Sequence, residues 1–233
     1  MSHSMGHSCF MSTKPDTPPV TEIAYILDMS GSMAPHTEAA VASFNEFLRE
    51  QQSVDGIARL TLVLFDDQYE VPIDNFPVSE VTCLDTTTYC PRGATALLDA
   101  IGLTIRSFRN RIKDLPKHQR PDQVIFAIFT DGEENSSQRY TWKDIADKIQ
   151  KRQSKDNWQF LFLGAGQDAI ATASQMNIHA YNAATASVGE KGVRGSQRAM
   201  SRKVKAMREM DVDSADLSAS METILREEEG SEE

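Results

Sequence analysis

From about Glu22 onward, the apolar positions of this chain follow two alternating patterns. Short, nearly continuous runs form the first: EIAYILDM (22–29), ARLTLVLF (58–65), QVIFAIFT (123–130) and QFLFLG (159–164). They are too continuous for a sheet wetted on one face and too short for helices, which is the signature of parallel strands buried on both sides. Stretches with helical spacing lie between them. Val41, Phe44 and Leu48 recur after Thr37, and Leu97, Leu98, Ile101, Ile105, Phe108 and Ile112 form a longer series. Trp142, Ile145 and Ile149 make a third, and Ile170 to Met176 a short fourth. The segment QYEVPIDNF (68–76) alternates and predicts a hairpin or edge strand, with Pro72 favouring the edge. Alternation of strand and helix predicts an α/β fold, doubly wound, with a mostly parallel central sheet flanked by helices. Such sheets carry their sites in the loops beyond the carboxyl ends of the strands.

The length, 233 residues, fits one domain with appendages. Residues 1–20 are polar, rich in Ser, His and Pro, and read as a flexible arm; His3, His7 and Cys9 lie there with nothing to fix a metal geometry. The sheet domain is expected over 21–182, a basic amphipathic extension over 183–210, and an acidic tail, disordered or weakly helical, over 211–233. The net charge of −10 is unevenly placed: nine acids against Arg226 lie beyond residue 210, whereas 191–208 holds seven bases and no acid. No apolar run approaches the ~20 residues that span a bilayer, and no charged-then-apolar leader opens the chain. The expectation is a cytoplasmic protein with no membrane association, in which Cys83 and Cys90 are free thiols.

The strand ends carry the chemistry. The first run closes on I-L-D-M-S-G-S-M (26–33), where Asp28, Ser30 and Ser32 can turn three oxygens to one side of a tight loop around Gly31. The run at 123–130 closes on F-T-D-G-E-E, which puts Asp131 at an equivalent end, and P-R-G-A-T places Thr95 just before the longest helical series. Two carboxylates and three hydroxyls, without His or Cys, favour a hard cation: Mg²⁺ first, with Mn²⁺ or Ca²⁺ as alternatives. Such a donor set leaves the ion electrophilic and a coordination position open, for which a carboxylate from another molecule is the natural ligand. Each loop taken singly also reads as a helix cap or a common turn.

D-M-S-G-S with a downstream G-A-T and a later T-D-G resembles the von Willebrand factor type A (vWA) family with an intact metal-ion-dependent adhesion site, over about residues 21–180. The resemblance implies a mostly parallel sheet flanked by helices. It also implies direct metal contacts from Ser30 and Ser32, from Thr95 in the ligand-engaged form, and mostly water-mediated ones from Asp28 and Asp131. G-A-T stands where many members have G-G-T. The stretch F-L-G-A-G-Q-D-A-I-A-T-A (162–173) is similar to intracellular bacterial or phage members, and an AAA+ ATPase partner follows by analogy alone.

The function expected is therefore a divalent-metal-dependent protein-binding module, not an enzyme. Its ion accepts a Glu or Asp side chain from a partner protein, with selectivity from Met33, His36, Arg92 and Glu133 around it. No nucleophile–base pair, P-loop or dinucleotide fingerprint is present. Two alternatives remain open. One is Mg²⁺-dependent phosphoryl transfer with Asp28 as nucleophile, although Ser30 stands where a second acid would be wanted. The other is nucleic-acid binding through the basic segment 191–208, against which stands the acidic stretch that follows it.

Overall fold

The computed structural model describes residues 18–166, 168–209 and 214–230. The expected arm, with His3, His7 and Cys9, lies almost wholly outside these residues. Six strands form one sheet in the order β3-β2-β1-β4-β5-β6. They are β1 (Val20–Asp28), β2 (Ile57–Phe65), β3 (Tyr69–Pro77), β4 (Gln123–Thr130), β5 (Gln159–Ala165) and β6 (Ala183–Ala186). All neighbours pair in parallel except β3, which runs antiparallel to β2 at the edge, where Pro72 removes no central ladder bond. The order reverses beside β1: β1 leads outward to β2, while β4 enters on its other side. That puts the crevice of this sheet between the carboxyl ends of β1 and β4.

Helices cover both faces because each strand is apolar on both. On one face Ile23, Tyr25, Leu27, Leu60, Leu62 and Ile125 pack against α1 (Thr37–Ser53) and α5 (Glu190–Glu209). On the other, Ala24, Ile26, Val63, Phe126 and Ile128 meet α2 (Leu97–Asp114), α3 (Trp142–Asp156) and α4 (Ala169–Gln175). Tyr25 packs edge-on against Phe44 of α1, ring centroids 5.3 Å apart, and Phe126 lies over Trp158 and Phe160 on the opposite side.

The chain beyond residue 182 differs from the sequence expectation. Ala183–Ala186 is the sixth strand of the sheet, and α5 continues the core with Val193, Met200 and Val204 fully or almost fully buried. After α6 (Ala215–Ser218), α7 (Met221–Gly230) buries Met221, Ile224 and Leu225 in the same cluster. The described part of the acidic tail is thus a packed helix. Three acids of this stretch are spent on α5: Arg202 bonds Asp216 of α6 at 2.6 Å, and Glu228 at 2.8 Å and Glu227 at 2.9 Å in α7, which together hold its guanidinium protonated more firmly than usual. Lys203, 1% exposed, donates to the backbone carbonyls of Asp216 (3.0 Å), Leu217 (2.9 Å) and Ala219 (2.6 Å). It fastens the α6–α7 connection to the body of the molecule.

Candidate metal centre

β1 ends where its last residue, Asp28, is fully buried, and the chain turns sharply through Met29–Gly31 into a 3-10 turn (Gly31–His36) that leads into α1. Asp28 shapes that turn itself: one carboxylate oxygen accepts the Ser30 backbone N–H at 2.7 Å. The other accepts the hydroxyl of Thr130, the last residue of β4. Ser30 Oγ and Ser32 Oγ lie 3.1 Å apart, and the Ser32 hydroxyl donates to Asp131 at 2.6 Å. Two strand ends are thus joined through one network of oxygens.

Thr95 arrives from a third loop. That loop is laced to the first by hydrogen bonds from Gly31 N–H to the Gly93 carbonyl (3.2 Å) and from Arg92 N–H to the Met29 carbonyl (2.9 Å). Asn135 then fixes Thr95, accepting its N–H at 2.9 Å and donating to its carbonyl at 3.0 Å. A side-chain carbon added at Gly132 would fall 2.6 Å from Thr95 Oγ1 and 3.5 Å from Ser30 Oγ. Glycine is required there because three loops converge on one point. Gly93 adopts φ +66°, and a side-chain carbon there would approach Asp67 to 2.7 Å, so this turn is confined to glycine as well.

The structure therefore brings Asp28, Ser30, Ser32, Thr95 and Asp131 together at the sheet's crevice. The electrostatics are one-sided. Burial pushes the Asp28 carboxyl above its ordinary range against the hydrogen bonds it accepts, and the negative charge of Asp131 adds to the rise. Burial likewise raises Asp131, opposed by the Ser32 hydroxyl and the nearby His36 ring. Among the described residues neither carboxylate pairs with a Lys or Arg. A buried acid beside a half-buried one, without a Lys or Arg, is costly, and a divalent ion with oxygen preference is what would relieve it. Among the described residues no group of three or more His, Cys, Asp or Glu could hold a metal, so any ion here depends on the hydroxyls. The donor set and the cradle that Gly132 leaves open fit such an ion.

The surrounding surface matches the expectation in part. Glu133 is exposed, and Arg92 is half-exposed but already paired with Asp66 at 3.0 Å and with Glu70. Met33 does not line the surface: it is 0% exposed, because the 3-10 turn directs it into the core beside Phe44 and Leu27. His36 is partly buried, with Nδ1 enclosed and unpartnered. Sequence reasoning passed over Tyr89, which is fully buried and whose hydroxyl donates to the Asp28 carbonyl at 2.6 Å. It also passed over Thr130 and Asn135. All three act on the backbone or on a ligand's carboxylate, so no spacing rule flags them. Cys83 and Cys90 are free and exposed.

Solved structures share this arrangement of strands and helices. The vWF domain of the type V pilus tip protein Mfa5 from Porphyromonas gingivalis superimposes with a TM-score of 0.58 at 12% identity, over 82% of this chain and 96% of that one. The fold is that of a vWA domain. A von Willebrand factor type A protein from Catenulispora acidiphila shares it (TM-score 0.52, 17% identity, 82% of this chain and 43% of that one). So does proximal thread matrix protein 1 of the mussel byssus, solved with a zinc-occupied MIDAS motif (TM-score 0.53, 13% identity, 82% and 46%). The chain thus spans less than half the length of the Catenulispora and mussel proteins. No protein-family model matches the sequence, and comparison with curated proteins finds no relative.

The basic segment is largely occupied within the molecule. Arg194 pairs with Glu190, Arg198 with Glu46, Lys205 with Glu50, and Arg202 with three acids. Arg208 is buried and caps α1 through the carbonyls of Gln51 and Val54. The stripe that the sequence offers to nucleic acid is in large part paired with acids of the same molecule, with Lys191 and Arg194 exposed.

Proposed function

We propose that this protein is a metal-dependent protein-interaction module, in which Asp28, Ser30, Ser32, Thr95 and Asp131 hold a divalent cation, Mg²⁺ by preference, that accepts a carboxylate from a partner protein. One observation carries the reading: a buried and a half-buried carboxylate and three hydroxyls from three loops converge on one point with no Lys or Arg among the described residues to balance them. Bound there, the cation supplies a Lewis-acidic coordination position at the surface. The chain's own residues do the rest. Thr130 and the Ser30 N–H orient Asp28, Ser32 bridges to Asp131, and Asn135 holds Thr95 at the rim. The zinc-occupied motif of the mussel protein supports a divalent ion on this fold.

A phosphoryl-transfer role is disfavoured by the placement of Asp28. It is 0% exposed, and each oxygen already accepts a hydrogen bond, which leaves no free nucleophile at the surface. The role is accordingly binding rather than catalysis, in the cytoplasm of a bacterium or phage-infected cell, with an AAA+ ATPase one candidate partner. The experiment is a thermal-shift series with Mg²⁺, Mn²⁺, Ca²⁺ and EDTA. A metal-dependent rise lost in Ser32→Ala and in Asp131→Asn supports the reading, and equal melting in all conditions refutes it.

A further inference from the structure

A second charged surface lies at the pole opposite the metal centre. The C-terminal half of α2 presents Arg106, Arg109 and Lys113, spaced three and four residues apart and therefore on one helical face. Across from it α3 presents Lys148, Lys151 and Arg152. Two adjoining depressions run between these helices, about 690 Å³ and about 400 Å³, sharing Arg109 and Arg152 in their walls. Val124, near the start of β4, borders the second, which sets it at the end of the sheet away from Asp28.

The cations here contrast with those of α5. The side chains of Arg106, Arg109, Lys113 and Lys151 are exposed and make no hydrogen bond or ion pair with a described residue, and Lys148 lies 5.0 Å over the Tyr140 ring. The acids that line the groove already have partners. Asp122 accepts the Val20 N–H at 3.0 Å, Asp144 caps α3 with Thr141, Asp147 pairs with Lys143, and Asp156 pairs with Arg152 within the groove. Attraction to the C-terminal end of a helix accounts for Lys113, within its last turn, but not for Arg106 or Lys148, which sit mid-helix.

We propose that this α2–α3 groove docks an acidic peptide segment of a partner protein. Phosphate chemistry fits it less well. The groove is lined by side-chain cations spread along two helix flanks and holds no glycine-rich cradle of backbone N–H groups. Single-stranded nucleic acid needs exposed rings for its bases, whereas Trp158 is 4% exposed and Tyr140 is covered by Lys148. Carboxylates spaced three and four residues apart on a helix, or alternating along an extended segment, match five separate cations. This surface does not depend on the metal centre.

The test is fluorescence anisotropy of a labelled twelve-residue peptide alternating Glu with Ala, titrated with the full chain at low salt in EDTA. Binding is expected that weakens with added salt. It should fall by about tenfold or more in Arg106→Glu/Arg109→Glu and likewise in Lys148→Glu/Lys151→Glu, and stay unchanged in Asp28→Asn. Circular dichroism melts confirm that the variants fold. Three outcomes overturn the proposal: no binding, binding undiminished in both double variants, or tighter binding of a single-stranded oligonucleotide than of the peptide.

Discussion

Replacing Asp28 by Asn changes one atom type at the centre of the three-loop junction and separates its structural role from its charge. The amide can keep the local network. Its oxygen still accepts the Ser30 N–H, and its NH₂ can donate to Thr130 Oγ1, whose hydroxyl then turns to the Gly132 carbonyl 3.0 Å away. What disappears is a fully buried negative charge next to a second one, with no cation among the described residues to offset it. A one-unit rise in a carboxyl pKa corresponds to about 1.4 kcal/mol of destabilised charge. The metal-free variant should therefore be at least as stable as the parent, each kcal/mol gained raising the Tm of a chain of this size by roughly 2–4 °C. Saturating metal reverses the order. A cation at a hundredfold its Kd stabilises the parent by about 2.7 kcal/mol and raises its Tm by roughly 5–10 °C. The variant should show no such rise. Differential scanning calorimetry with EDTA and with Mg²⁺ gives all four values. A metal-free variant that melts well below the parent, or one that keeps the full metal-induced shift, would refute the reasoning.

Gly132→Ala drives a methyl toward Thr95 Oγ1, and Asn135 leaves Thr95 little room to retreat. Cation affinity by calorimetric titration is expected to drop about tenfold, with a stability loss of about 1–2 kcal/mol. Lys203→Met keeps the apolar stem but removes three donors to the carbonyls before α7, and chemical denaturation should show a loss of about 2–4 kcal/mol with metal binding intact. Tyr89→Phe deletes the bond to the Asp28 carbonyl and should cost about 1–2 kcal/mol by the same measurement.

The sheet was legible because its strands are apolar on both faces, and a run such as QVIFAIFT has few other uses. The three site loops were legible because the ligand types sit directly after those runs. The C-terminal third was harder to read for two physical reasons. β6 is built of Ala and Thr, small residues that suit a short strand beside β5 but carry no hydrophobic run. In α7 the apolar triad Met221, Ile224 and Leu225 has proper helical spacing, yet Glu222 and Glu227 to Glu229 dominate its composition. Arg202, the α5 partner of Glu227 and Glu228, lies about twenty-five residues away in sequence, beyond any local pattern. Met33 shows the converse failure. A residue next to a candidate ligand reads as rim, but the 3-10 turn carries it inward.

The central claim, that the strand-end oxygens hold one divalent cation, is tested most directly by isothermal titration of the metal-free protein with Mg²⁺ and Mn²⁺. The account predicts one ion per chain, with binding abolished in Asp131→Asn and strengthened by an acidic ligand that completes the coordination. Absence of binding by either ion, or binding that survives loss of Asp131 and Ser32 together, would contradict it.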